Sequence, residues 1–296
     1  MSPQLRRREN ISGYLFLLPS LIFFLGFVIV PMAMCLITSF TDATMNSGEP
    51  DRFIGLANYV ELWRDPIFLK ALKNTLIIVF VSVPVVCAFS LWVASFIYKL
   101  KEIPLSFFRV VFYLPVVTGS VAVTVVWKWI YSYRSGILNY ALKNTGIIDQ
   151  NINWLGGDGK WALACIILIL LTTSVGQPIV LYVSALGNVD NSLVEAAQVD
   201  GATNLQVFWR IKWAQILPTT LYILVITTIN SFQCFALINL LTNGGPDGAT
   251  ETIMHYIYIT AFNSPFRFGY GNAMGVVLAL FIAALSAVQF RLAKES

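Results

Sequence analysis

Six apolar runs, each long enough to cross the hydrocarbon of a bilayer, constrain this chain more than any other feature. They cover residues 13–40, 75–98, 110–131, 161–186, 216–241 and 271–290. A helix satisfies all of its backbone hydrogen bonds internally, so such runs are stable in lipid only as helices or inside a closed barrel. With 57% hydrophobic and 11% charged residues and a mean hydropathy of +0.73, the 296-residue chain lies outside the soluble class. The fold class expected is all-α, a polytopic membrane protein with six transmembrane helices.

The first run imitates a secretory signal, since Arg6, Arg7 and Arg8 precede it. It is too long for such a signal and no small-residue cleavage site follows, so it reads as a retained first span. The three arginines place the arm 1–12 in the cytoplasm by the positive-inside rule. Residues 41–74 then form an external segment, with a turn-rich Asn46-Ser47-Gly48-Glu49-Pro50 and a short surface helix near Tyr59 to Trp63. Lys99, Lys101 and Arg109 bracket a turn back to the cytoplasm. Ser132 to Lys160 is a second external segment, Asn243 to Gly248 a strong turn cluster, and Glu251 to Phe262 a short helix near the outer surface. Six spans return the tail 291–296 to the cytoplasmic side. Lys128 is expected to snorkel from the outer end of the third span.

Several function classes are excluded. Net charge is only +4 and the basic residues are scattered, so no nucleic-acid footprint exists. One histidine, His255, cannot assemble a metal cluster and reads as structural. Cys35, Cys87, Cys165 and Cys234 lie inside apolar runs without CxxC spacing and read as small buried hydrophobes. The run Gly156-Gly157-Asp158-Gly159-Lys160 lacks the upstream glycine and the following Ser/Thr of a phosphate loop. Any ATP that drives this protein is therefore hydrolysed by another chain. No Asp or Glu falls mid-span to relay protons or sodium, which argues against a stand-alone secondary transporter. Neither paired carboxylates nor a nucleophile with a base suggests a membrane enzyme.

A polar interruption, 187–215, stands between the fourth and fifth runs. Ser192-Leu193-Val194-Glu195 has capping-box spacing and predicts a helix from Leu193, stopped by Gly201. Thr203-Asn204-Leu205-Gln206 repeats the device and predicts a second helix past Phe208, Trp209 and Ile211 along the membrane interface, with Pro218 in the first turn of the fifth span. The first helix presents Leu193, Val194, Ala196, Ala197 and Val199, flanked by Asp190, Glu195 and Asp200. An anionic, alanine-rich face suits a partner's groove better than an anionic lipid leaflet.

Glu195-Ala196-Ala197, then Asp200-Gly201-Ala202, then Ile216-Leu217-Pro218 resembles the EAA loop of permease subunits in binding-protein-dependent ABC importers. Phe53-Ile54-Gly55-Leu56-Ala57-Asn58-Tyr59 with Asn74-Thr75 resembles the segment before the second helix of the carbohydrate-type permeases. Leu240-Leu241-Thr242-Asn243-Gly244-Gly245-Pro246 is similar to a signature after the fifth helix in the subunit related to the maltose permease. Trp213 and Ala214 stand where the family's Thr-Leu-Pro normally falls. The resemblance implies a MetI-like permease core over 75–290, in a prokaryotic cell membrane. It also implies a second homologous permease chain, two cytoplasmic ATP-binding subunits carrying ATP-Mg, and an extracytoplasmic solute-binding protein that delivers sugar. The permease would bind no cofactor itself. Leu193, Val194, Glu195, Ala196, Ala197, Asp200, Gly201 and Ala202 would form the coupling helix and its turn. Glycerol-3-phosphate or another polar solute is the alternative cargo on the same scaffold.

A sugar path through the bundle needs polar groups at membrane depth, which are expensive unless they serve packing or a pathway. Thr227, Asn230, Ser231 and Cys234 recur at i, i+3, i+4 and i+7 on the fifth span. Ser174 and Gln177 flank Gly176 and Pro178, which can open the fourth span locally. These six, with Gln233 beside them, are the candidate lining, although Thr, Ser and Cys also serve as small residues at helix contacts. Gly271 and Gly275 form a GxxxG, read as a close helix contact.

Overall fold

The structure, a computed structural model, describes residues 3–44, 51–263 and 266–295. Among the described residues regular structure is helical, apart from two isolated bridges, Thr41 to Phe53 and Thr44 to Arg267. The chain divides into two compact units: Met1–Arg64 with Ile257–Val277, and Asp65–Tyr256 with Leu278–Ser296.

In the first unit, α1 (Pro3–Phe24), a π-helical stretch (Leu25–Ile29) and α2 (Val30–Thr38) follow one another without a break. The arm expected to be separate is thus helical and continuous with the first span. The apolar window of Tyr14–Thr38 has no buried share, as expected of a helix surrounded by lipid rather than protein. Cys35 is exposed for the same reason, against the expectation of burial. The short helix α3 (Ala57–Leu62) lies where a surface helix was expected. Polar pins hold the unit. The Asn58 amide donates to the carbonyls of Ser39 and Thr41, each at 2.9 Å, and Asn272 donates to the Thr38 hydroxyl at 2.6 Å. Arg267 grips Glu61 with both guanidinium arms at 2.7 and 2.6 Å. Gly271 lets the chain approach Ala261 closely, since a β-carbon there would sit 3.2 Å from the Ala261 methyl, whereas Gly275 has open space beside it. The turn expected at Asn46 to Pro50 lies outside the described residues.

The second unit begins with α4 (Pro66–Ile97), well before the expected residue 75. Asp65 caps it, accepting from the amides of Ile67 at 2.8 Å and Phe68 at 3.3 Å, and Pro66 takes the first position, where its missing N–H costs nothing. The expected single third helix is two: α5 (Glu102–Val117) and α6 (Ser120–Ile130), bent by 94° where Thr118 and Gly119 turn extended. After α7 (Ile137–Asn144), the fourth run is also broken. α8 (Ala162–Ser174) and α9 (Gly176–Gly187) meet at 42° around Val175, beside the Gly176 and Pro178 expected to open it.

The remaining elements are α10 (Asn191–Val199), α11 (Asn204–Val207), a π-helical turn (Phe208–Lys212), α12 (Trp213–Phe232), α13 (Ala236–Leu241), α14 (Ile253–Phe262) and α15 (Phe268–Glu295). The fifth run is interrupted at 233–235, between α12 and α13. Among the described residues, four helical segments are individually long and apolar enough to cross a membrane, and the total reaches six if each bent pair is one crossing. α4 is the axis of this unit and packs along α8, α9 and α12, while α5 lies on α9. Ile78, Ile166, Ile169 and Ile238 are fully buried in its core with Cys165 and Cys234. Lipid competes with such apolar faces, so close packing rather than water exclusion holds the bundle together.

Candidate functional site

The elbow after α9 is built from its caps. Asp190, not Ser192, begins α10: its carboxylate accepts from the Ser192 amide at 2.9 Å, so the helix starts at Asn191 rather than Leu193. Hydrogen bonding by the Ser192 side chain and amide holds the Asp190 carboxyl below its usual range. The helix stops at Val199, and Gly201 takes a φ of +80°, the left-handed conformation that residues with a β-carbon rarely adopt. The second box forms as expected. Thr203 accepts from the Gln206 amide at 3.4 Å, and the Gln206 side chain returns to the Thr203 amide at 2.8 Å.

From that cap the helix does not end. Residues Asn204–Leu241 form one candidate span, so the expected interfacial helix is the continuous base of the fifth span and Pro218 lies well inside it rather than in a first turn. The wide π turn at Phe208–Lys212 brings Lys212 to the end of α4, where its ammonium donates to the Tyr98 hydroxyl at 2.7 Å and lies 5.2 Å from the ring centre. Gln215 ties the elbow down by accepting from the Asp190 amide at 3.2 Å. α10 itself buries no residue: Leu193, Glu195, Ala196 and Val199 are exposed, and Val194 and Ala197 half-buried.

Higher in the same unit, Ser174, Gln177, Thr227 and Asn230 line one cavity of about 120 Å³ with Thr173 and Tyr222. Ser231 is turned away: it is buried, and its hydroxyl meets that of Ser82 on α4 at 3.2 Å. Gln233 and Cys234, in the break after α12, line a second cavity of about 320 Å³ together with Thr118 and Ser120. The expected face is thus split in two, because α12 ends at Phe232 and the 3.6-residue spacing does not extend to residue 234.

One group of residues escaped the sequence reading. Asn74 donates to the carbonyls of Gly248 at 3.2 Å and Glu251 at 2.9 Å, and Thr75 accepts from the Ile253 amide at 3.1 Å. Asn74 and Thr75 therefore clamp the loop that follows Leu240 to Pro246. Just after it, fully buried His255 bonds Glu251 at 2.6 Å through Nδ1 and lies 3.3 Å from the Asn243 side-chain oxygen through Nε2. The Gly156 to Lys160 run is an exposed turn, with Lys160 paired to Asp158 at 2.7 Å and holding that carboxyl below its usual range.

The family described as binding-protein-dependent transport system inner membrane component matches residues 66–295. The chain belongs to that family. It is 32% identical to the lactose transport system permease protein LacF of Rhizobium radiobacter, over 98% of this chain and 97% of that one. It is 28% identical to the sn-glycerol-3-phosphate transport system permease protein UgpA of Agrobacterium fabrum, over 97% and 96%. A chain of the bacterial alginate ABC transporter, solved in complex with an alginate pentasaccharide-bound periplasmic protein, superposes with a TM-score of 0.83 at 24% identity. It covers 97% of this chain and 96% of its own. The protein is thus a multi-pass membrane component of a transport system, and its fold is that of the ABC permeases.

Proposed function

We propose that this chain forms half of the translocation pore of an ATP-driven sugar importer and couples to its ATPase through α10. The observation that carries this reading is the continuity from Thr203 to Phe232. The base of the elbow and the cavity residues Thr227 and Asn230 belong to one helical segment, so force applied at α10 has a covalent route to the pathway. In this reading α10 docks in a cleft of one of two cytoplasmic ATP-binding subunits, through Leu193, Val194, Glu195, Ala196 and Ala197, with Asp200, Gly201 and Ala202 forming the turn. A second, homologous permease chain completes the pore, and an external solute-binding protein delivers the cargo. Both termini are cytoplasmic, and each bent helix pair counts as one crossing, giving six. The ATP and its Mg ion sit on the partners.

Ser174, Gln177, Thr227 and Asn230 are the proposed lining, with Gln233 and Cys234 in the adjoining cavity, while Ser231 packs against α4. A cavity of about 120 Å³ is smaller than the roughly 300 Å³ at which small-molecule sites begin, so passage of a sugar requires the helices to part. Such parting is the rigid-body alternation that closure of an ATPase pair would drive. The names of LacF and of the multiple sugar-binding permease MsmF of Streptococcus mutans favour a sugar. UgpA keeps sn-glycerol-3-phosphate as the second reading.

The test is uptake of labelled lactose and labelled sn-glycerol-3-phosphate into proteoliposomes. Uptake should require ATP and co-purified partner subunits. Transport by vesicles holding this chain alone would sink the proposal.

A further inference from the structure

We infer that the cavity between the end of α6 and α7 is a binding site for an acidic oligosaccharide. It has a volume of about 470 Å³ and shares no lining residue with the cavity of Gln177 and Asn230. That volume falls inside the roughly 300–1,000 Å³ range of sites that hold small organic ligands.

Its lining combines three chemistries. Trp129 and Tyr140 keep 58% and 69% of their surface exposed, and ring faces of this kind pack well on the C–H faces of sugars. Arg134 and Lys143 bring two cations, and neither has an ion-pair or hydrogen-bond partner among the described residues. No Asp or Glu lines the cavity. Two other cations, Lys160 and Arg267, close on Asp158 and Glu61 instead. Two like charges on the wall of one cavity attract carboxylates, which Arg takes up with two parallel hydrogen bonds. Asn144 and Asn151 add amides suited to hydroxyls.

The floor beneath these side chains is fixed. Asn139 is buried and spends its whole side chain on the backbone and on Trp154. It donates to the Ile152 carbonyl at 3.0 Å and accepts from the Ile152 amide at 3.1 Å and the Trp154 ring at 3.0 Å. Asn151 donates to the Tyr133 carbonyl at 2.7 Å. At Gly136 a β-carbon would come within 2.6 Å of the Ile130 carbonyl oxygen, so the chain turns there only without a side chain. The backbone that carries the exposed groups is therefore held in place before any ligand arrives, which lowers the entropy lost on binding. A site on this segment would meet sugar arriving from outside, a placement that rests on the orientation proposed above; the binding chemistry does not.

The experiment uses the full chain in lipid nanodiscs, titrated calorimetrically with trigalacturonate and with its trimethyl ester, which has the same sugar skeleton without charge. Trigalacturonate should bind, and the ester should bind about tenfold more weakly. Arg134→Gln with Lys143→Gln, both on exposed side chains, should lower the acid to the ester's affinity and leave the ester unchanged. Trp129→Ala should weaken both ligands. Equal binding of acid and ester, or an acid affinity untouched by the double variant, overturns the proposal. So does a double variant that keeps trigalacturonate but loses retention of a solute-binding protein, because the cations would then face a protein.

Orientation is read separately. Lys143→Cys in a Cys35→Ser background should react with an impermeant maleimide on intact cells. Reaction only after the cells are opened would refute the orientation while leaving the nanodisc result, where both faces are accessible, to stand or fall alone.

Discussion

Two polar interruptions separate apolar helices in the larger unit, and they are built in opposite ways. The loop after α13, residues 242–252, is braced from every side. Asn74 and Thr75 clamp it from α4, the Thr242 and Thr250 hydroxyls meet at 2.7 Å, and Lys70 reaches the Asp247 carbonyl. Glu251 and His255 lie buried beneath it. The elbow at 190–203 is tied at its ends by caps and by Gln215, and α10 leaves Leu193, Glu195, Ala196 and Val199 exposed. A polar segment that satisfies its groups within its own chain needs no partner. One that stiffens a helix and then leaves it uncovered is ready to receive one.

Charge reversal on the uncovered helix tests that contrast most severely. Glu195→Lys should abolish solute-stimulated ATPase activity in the assembled transporter while leaving its melting temperature unchanged, because α10 buries nothing. Normal stimulation would remove the docking role. The braced loop should respond in the reverse sense. His255→Ala leaves the Glu251 carboxylate buried without its partner and should cost about 3 kcal/mol, read as a lower melting temperature in detergent. An unchanged melt would show that the brace is dispensable.

Smaller effects sharpen the comparison at the elbow's joints. Gly201→Val forces a branched side chain to a φ of +80° and should cost about 1–2 kcal/mol locally, seen as faster amide exchange in α10 with the rest of the bundle unaffected. Thr203→Ala removes one half of the capping box and should cost about 1 kcal/mol, seen as exchange confined to α11. The Asp190 cap gives the weakest signal. Its carboxyl is depressed in the folded chain, so its contribution is present above the usual carboxylate range and is lost as pH falls through the depressed value. α10 should therefore fray only in strongly acidic solution.

These joints were also the most legible part of the sequence. Thr203, Gln206 and Gly201 act through residues a few positions apart, so spacing alone reveals them. Asp190 was missed because Asp190, Asn191 and Ser192 are three capping types in a row, and composition does not choose among them. The 94° break at Thr118 and Gly119 was missed because the run around it is uniformly apolar, and hydropathy measures length rather than direction. Helical spacing places Thr227, Asn230, Ser231 and Cys234 on a single face of the fifth span. Ser174, Gln177, Thr227 and Asn230 do surround one cavity, but Ser231 found a hydroxyl on α4, a partner far away in the sequence. The clamp joining Asn74 to Gly248 and Glu251 is equally remote.

Gly176 carries a consequence of another kind. A β-carbon there would come within 2.9 Å of the Val116 side chain and run into the Phe112 carbonyl, so α5 rests against α9 at the distance a bare backbone permits. Val116 lines both the cavity of Asn230 and that of Gln233. The bore of the two chambers is therefore gauged by a single missing methyl group, and restoring it would widen the seam between these helices before it touched any polar group inside them.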